Sequence, residues 1–168
     1  MKQPKEIIRI GQVEIRFLLD GNDTNNQMLL FESVFPPGAK VAAPPHYHQH
    51  VDEMGYVLEG ILTITLDGKK IDFSPGESCF IPRGVVHHIT NNTTKTAKAL
   101  AMMTPALIDI NYFKEMSALL NSGTIPDLQK IRETMLKNDT VPVIPHQQDT
   151  QKNSPQEIYN QINNVTNN

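Results

Sequence analysis

His46-Tyr47-His48-Gln49-His50-Val51-Asp52-Glu53 is the stretch from which the fold is read. In an extended segment, residues two apart share a face, so His46 and His48 project into one interior while Tyr47 points away. A carboxylate follows within five residues, and a third histidine, His87, arrives after two further strand-like runs. Neutral imidazoles with one carboxylate suit zinc, iron, copper, nickel or manganese without choosing among them. Calcium and magnesium prefer oxygen cages. The pattern therefore reads as β-structure that gathers three imidazoles and one acid around an ion.

Outward from this run, the chain breaks into short segments punctuated by turn residues. Candidate strands cover 7–10, 13–19, 28–35, 42–48, 54–58, 62–67, 70–73, 78–81, 87–91 and 97–103. Asp20-Gly21-Asn22, Pro36-Pro37-Gly38, Glu59-Gly60, Asp67-Gly68, Ser74-Pro75-Gly76 and Pro82-Arg83-Gly84 divide them. Many short strands with regular punctuation indicate a sandwich or barrel. Alternation leaves one choice open. Continuous extension from His46 aims Asp52 inward, whereas a turn across Gln49 to Asp52 aims Glu53 inward.

The spacing of these residues resembles both sequence motifs of the cupin superfamily. The second motif reads Gly76, five residues, Pro82-Arg83-Gly84, two residues, His87, three residues, Asn91. The first reads Gly38, His46, His48, Glu53 and Gly60, with seven residues between Gly38 and His46 where the family usually has five. Fifteen residues separate Gly60 from Gly76, as in compact microbial cupins, and 52–60 is most similar to the quercetin-dioxygenase-like monocupins. The resemblance covers roughly residues 28–105. It implies an all-β fold, the double-stranded β-helix or jelly-roll barrel. It also implies that His46, His48, Glu53 and His87 hold one divalent transition metal per chain (Fe, Mn, Ni, Cu or Zn), with Glu53 preferred to Asp52. Related cupins commonly form homodimers, so the strands between 7 and 19 are expected to cross between subunits.

Composition agrees with a small soluble protein. A chain of 168 residues fits one domain with a real core. The net charge of -3 gives no basic footprint for nucleic acid or anionic lipid. Lys2, Lys5, Glu6, Arg9, Glu14 and Arg16 interrupt any signal-peptide pattern, and no apolar run is long enough to span a bilayer. The single cysteine, Cys79, excludes an internal disulfide and reads as a core thiol in a cytoplasmic protein.

Residues 1–110 are expected to form the barrel, with its core at 28–105, and 111–146 a helical extension packed outside it. Tyr112, Phe113, Met116, Leu119 and Leu120 share one helical face, with Gly123 as the stop. A second helix is expected from Pro126, burying Leu128, Ile131, Met135 and Leu136. Its Lys130, Arg132 and Lys137 are matched by Asp127, Glu133 and Asp139, which argues against a DNA-reading helix. Half of the residues in the polar tail, 147–168, are Asn or Gln. Yet Ser154-Pro155-Gln156-Glu157 has the form of a capping box, followed by Ile158, Ile162 and Val165 at helical spacing.

An open metal site polarises substrates or activates dioxygen. The expected function is a dioxygenase acting on a small hydroxylated aromatic or flavonol-like molecule, with Glu53 taking the substrate's hydroxyl proton and its pKa raised by burial. The same ligands would serve an isomerase, lyase or decarboxylase, or a non-catalytic binding or sensing module. Alternation from Glu53 places Gly55 and Val57 inward, and Phe31, Phe35, Phe80, Ile89 and Met102 complete the expected apolar pocket. The position of Gly55 is often aromatic in related cupins, so a recess beside the metal is expected. His50 and His88 are expected to face solvent.

Overall fold

The computed structural model describes residues 3–143, so the expected tail and its capping box lie outside the described residues. Strands β1 (Glu6–Ile10), β2 (Val13–Leu19) and β3 (Leu29–Phe35) precede the histidine run, with a single-turn helix α1 (Gly21–Thr24) between β2 and β3. The run itself forms β4 (His46–His48) and the start of β5 (Asp52–Glu59). There follow β6 (Leu62–Leu66), β7 (Lys69–Phe73), β8 (Ser78–Ile81), β9 (His87–Thr90) and β10 (Ala97–Thr104). Helices α2 (Ile110–Leu120) and α3 (Leu128–Lys137) lead to a final strand, β11 (Thr140–Pro142).

The strands form two antiparallel sheets, ordered β1-β2-β3-β10-β5-β8 and β11-β4-β9-β6-β7. Period-2 alternation sets the inner faces. Leu29, Phe31, Ser33 and Phe35 of β3 are buried, and so are Ala97, Ala99, Ala101 and Met103 of β10 beside them. Small side chains in the middle of β10 leave space that the larger residues around them enclose. The two antiparallel sheets make an all-β sandwich of the jelly-roll kind, with helices α2 and α3 beside it.

Two features depart from the sequence expectation. The strand expected over 42–48 is confined to His46–His48, because Pro44 and Pro45 have no N–H for a ladder. Helix α2 is more than an outer layer. Its Tyr112, Phe113 and Met116 are buried in the main core, where Phe113 packs edge-on against Phe17 and Phe31 with ring centroids 5.0 and 5.6 Å apart. Burial of each such ring stabilises the fold by about 1.5–3 kcal/mol.

Gly60, at the turn from β5 to β6, is required by its surroundings. Its φ is +69°, and an added Cβ would lie 2.5 Å from the Thr96 carbonyl oxygen and 2.8 Å from Ala97 Cα. Asn91, fully buried after β9, ties two turns together: its amide donates to the carbonyls of Phe35 (2.9 Å), Pro36 (3.0 Å) and Lys95 (2.7 Å). None of the described helices is long and apolar enough to cross a membrane.

Candidate metal centre

His46 and His48 lie on the same face of β4 and are both buried, with Tyr47 between them turned away. A bend at Gln49 and His50 then resets the register. Asp52 points outward and takes a two-pronged ion pair from Arg83 (Nε 3.1 Å, Nη2 2.7 Å) as well as the Arg83 backbone N–H (2.8 Å). That guanidinium holds the Asp52 carboxyl down at about 2. Glu53 points inward and is buried. The structure thus resolves the choice that alternation left open.

His87 comes from the neighbouring strand of the same sheet, at the start of β9 after the Pro82-Arg83-Gly84 turn, whose Gly84 N–H donates to the His48 carbonyl (2.8 Å). Its partner across the ladder is His46. The three imidazole centroids are 4.5, 5.2 and 5.3 Å apart, and one ring nitrogen of each lies within 4.8 Å of the others. Each Nδ1 has a partner: the Pro44 carbonyl for His46 (2.8 Å), the Thr140 hydroxyl for His48 (3.3 Å) and the Val85 carbonyl for His87 (3.1 Å). Carbonyl partners require the proton on Nδ1 and leave Nε2 as the lone-pair nitrogen, the arrangement in which histidines ligate metals. His48 Nε2 is buried without a hydrogen-bond partner, an orphaned group that a cation would satisfy.

Glu53 Oε2 is 3.3 Å from His87 Nε2 and 3.6 Å from His48 Nε2. Burial alone would raise this carboxyl, but the closeness of the His48 and His87 imidazoles outweighs it and holds it below the usual range. The expectation of a raised pKa is therefore reversed, because two imidazoles converge on one oxygen. Burial lowers the His46 pKa, with the neighbouring imidazoles adding to the effect. Burial also opposes charge on His87, but Glu53 wins there and raises it. The donor set of nitrogen with one carboxylate oxygen fits a borderline transition-metal ion.

The cluster opens into a cavity of about 120 Å³. Gly55, Val57, Phe31, Phe35 and Ile89 line it as expected from alternation. Phe80 and Met102 do not. Cys79 and Ile81 occupy the inner face of β8 and leave Phe80 58% exposed, while Met103 occupies the inner face of β10 and puts Met102 opposite Met54 on the outer one. His50 is exposed and held by Asp139, but His88 is buried, contrary to expectation, with Nε2 donating to the Val41 carbonyl (3.1 Å). Burial pulls its pKa to about 4. Sequence reasoning missed Ser33, Tyr112 and Thr140. Ser33 was open to discovery from alternation with Phe31 and Phe35, and Tyr112 from its helical face; Thr140 carries no local signal. The Cys79 thiol lines the cavity, protonated, its pKa raised by burial and then by Glu53.

The cupin domain family model matches residues 31–103, the segment that contains all four of these residues. The chain belongs to the cupin superfamily. This cupin is 29% identical over 94 residues to quercetin 2,3-dioxygenase of Bacillus subtilis, covering 56% of this chain but 27% of that protein. It is 31% identical over 94 residues to an oxalate-binding protein of Thermotoga maritima, covering 55% of this chain and 76% of that one. Among solved structures, the polyketide cyclase RemF from Streptomyces resistomycificus superposes with a TM-score of 0.50 at 28% identity, over 62% of this chain and 70% of that one. The names of these relatives span oxygenation, binding and cyclisation.

Proposed function

We propose that this cupin holds one divalent transition metal through His46, His48 and His87, with Glu53 beside them, and oxygenates a small hydroxylated aromatic molecule. The observation that carries this reading is the geometry of the three imidazoles. Each has a partner at Nδ1, and His48, whose Nε2 is buried and unpartnered, lines an apolar cavity. A metal bound there would supply Lewis acidity toward a substrate oxygen and an electron path to dioxygen.

The chain's own residues do the rest. Glu53 lies beside the imidazoles and would accept the substrate's hydroxyl proton, a transfer that a bound metal would ease by acidifying that hydroxyl. Apolar walls exclude water from the oxyanion so formed. Dioxygenation places both oxygen atoms in the product, so the substrate supplies the electrons and no separate reductant is needed.

Cavity size and lining narrow the substrate. A dry cavity of roughly 150 Å³ accommodates benzene, so about 120 Å³ suits a single ring better than a three-ring flavonol. Among the described residues, no Lys or Arg lines the cavity, which disfavours phosphorylated sugars and small dianions. The runner-up is Lewis-acid chemistry without oxygen, favoured by the similarity to a polyketide cyclase. We place the homodimer and the cytoplasmic setting in the same proposal. The test is dioxygen consumption by metal-loaded protein with phenol, catechol and hydroquinone, and with quercetin as the large comparator. Uptake with a monocyclic phenol supports the reading; conversion of any of these without oxygen uptake supports the runner-up.

A further inference from the structure

Strand β4 carries two of the three imidazoles, yet it is three residues long and meets β9 at the register pair His46 and His87. On its other side, β11 pairs with every position: Thr140 with His48, Val141 with Tyr47 and Pro142 with His46. Bonds beyond the ladder extend the grip. Gln49 N–H donates to the Asp139 carbonyl (3.2 Å) and Val143 N–H to the Pro45 carbonyl (2.7 Å). The Asp139 carboxylate accepts from the His50 backbone (2.9 Å) and pairs with its ring Nδ1 (2.7 Å). All of this clasp comes from residues beyond 103, where the family match ends.

Thr140 is where the clasp reaches the chemistry. Its side chain is fully buried, and a hydroxyl has one proton to donate. That proton goes to the Asn138 carbonyl (2.9 Å). Toward His48 Nδ1, at 3.3 Å, the hydroxyl therefore acts as an acceptor. An acceptor there keeps the proton on Nδ1 and the lone pair on Nε2, the buried nitrogen without a partner. Backbone carbonyls do the same for His46 and His87. His48 is the member of the trio whose tautomer depends on a side chain, one supplied by the carboxy-terminal strand.

We propose that Thr140 is a positioning residue that sets the His48 tautomer and, through it, the affinity of the metal centre, so that β11 is a working part of the site. The effect on affinity rests on the metal-centre reading above; the tautomer does not. The Tyr112 phenol, beside the same hydroxyl, belongs to this cluster.

The experiment compares wild type, Thr140→Ser, Thr140→Val and Thr140→Ala by ¹⁵N NMR of the histidine rings in metal-free protein and by Co(II) titration. Wild type and Thr140→Ser keep His48 as the Nδ1–H tautomer and bind Co(II) alike. Thr140→Val and Thr140→Ala lose that fixed tautomer at His48 alone and bind Co(II) about 10–100-fold more weakly, as expected when a ligand's outer partner is removed. Amide dispersion identifies which of the two hydroxyl-free variants is folded, and either suffices. An unchanged His48 tautomer in a folded hydroxyl-free variant overturns the proposal, as does a Thr140→Ser variant that loses the tautomer. Wild type that binds no Co(II) would remove the metal-centre reading, while the tautomer comparison would still decide the role of Thr140.

Discussion

His46 stands opposite His87 across the β4–β9 ladder, their ring centroids 4.5 Å apart. The strand pairing that builds the second sheet is therefore the same contact that brings imidazoles from two distant motifs together. Glu53 reaches the pair from the other sheet, through β5. Its contribution is separable from theirs. Glu53→Gln keeps the three imidazoles and removes the proton acceptor, so metal affinity should fall by less than about 10-fold. Turnover of a phenolic substrate should fall by about 10²–10⁴-fold. Equal losses in both, measured by metal titration and steady-state kinetics, would assign Glu53 a ligand role alone.

Gly55 faces the cavity without a positive φ, and an added Cβ meets nothing within 4 Å. Gly55→Ala should melt at or above the wild-type temperature, gaining about 0.4–1 kcal/mol from a stiffer unfolded chain. Gly55→Phe should keep the metal and the fold while filling the recess, so that substrate binding is lost. Melting curves, metal content and ligand titration of the two variants check this. A large stability loss already at Ala contradicts an open recess.

Gly55, within β5, and Gly60, just after it, thus have opposite status, and sequence alone does not separate them. Motif spacing made His46, His48, Glu53 and His87 legible because it depends on residues close in sequence. Phe80 and Met102 were misplaced because inner and outer faces were guessed strand by strand; the parity of β8 and β10 follows from their pairing with β5, Phe80 and Met102 both opposite Met54, which is visible only in the structure. β11 was not legible at all. It is three residues ending in a proline, and its partner strand lies more than ninety residues earlier, Thr140 and His48 being 92 apart. His88 was expected in solvent because nothing local predicts that its ring would reach the Val41 carbonyl.

Gly60→Ala should destabilise the protein by more than about 2 kcal/mol, since a left-handed backbone costs an L-residue roughly 1–2 kcal/mol before any clash with Thr96 and Ala97 is counted. Chemical denaturation is the measurement. A loss below about 0.5 kcal/mol, the range of neutral surface changes, would show that this turn rearranges freely.

The Asp52–Arg83 pair predicts an acid-side effect. Because the folded carboxyl sits at about 2, below its ordinary value, the stabilisation it provides is fully present above roughly pH 4 and is lost as pH falls toward 2. Asp52→Asn should therefore melt lower than wild type at pH 7, with the gap closing by pH 2. A gap that persists unchanged at pH 2 would show that the pair's charge is not its source.

The most direct measurement is the metal content of protein purified without chelators or a histidine tag, alongside His87→Ala. His87 supplies one of the three converging ring nitrogens, and its loss would leave a bound ion short of a ligand. Expected is about one iron, manganese, nickel, copper or zinc ion per wild-type chain and none retained by His87→Ala after desalting. Wild type that stays metal-free when offered each of these ions, or stoichiometric metal in folded His87→Ala, would contradict the assignment.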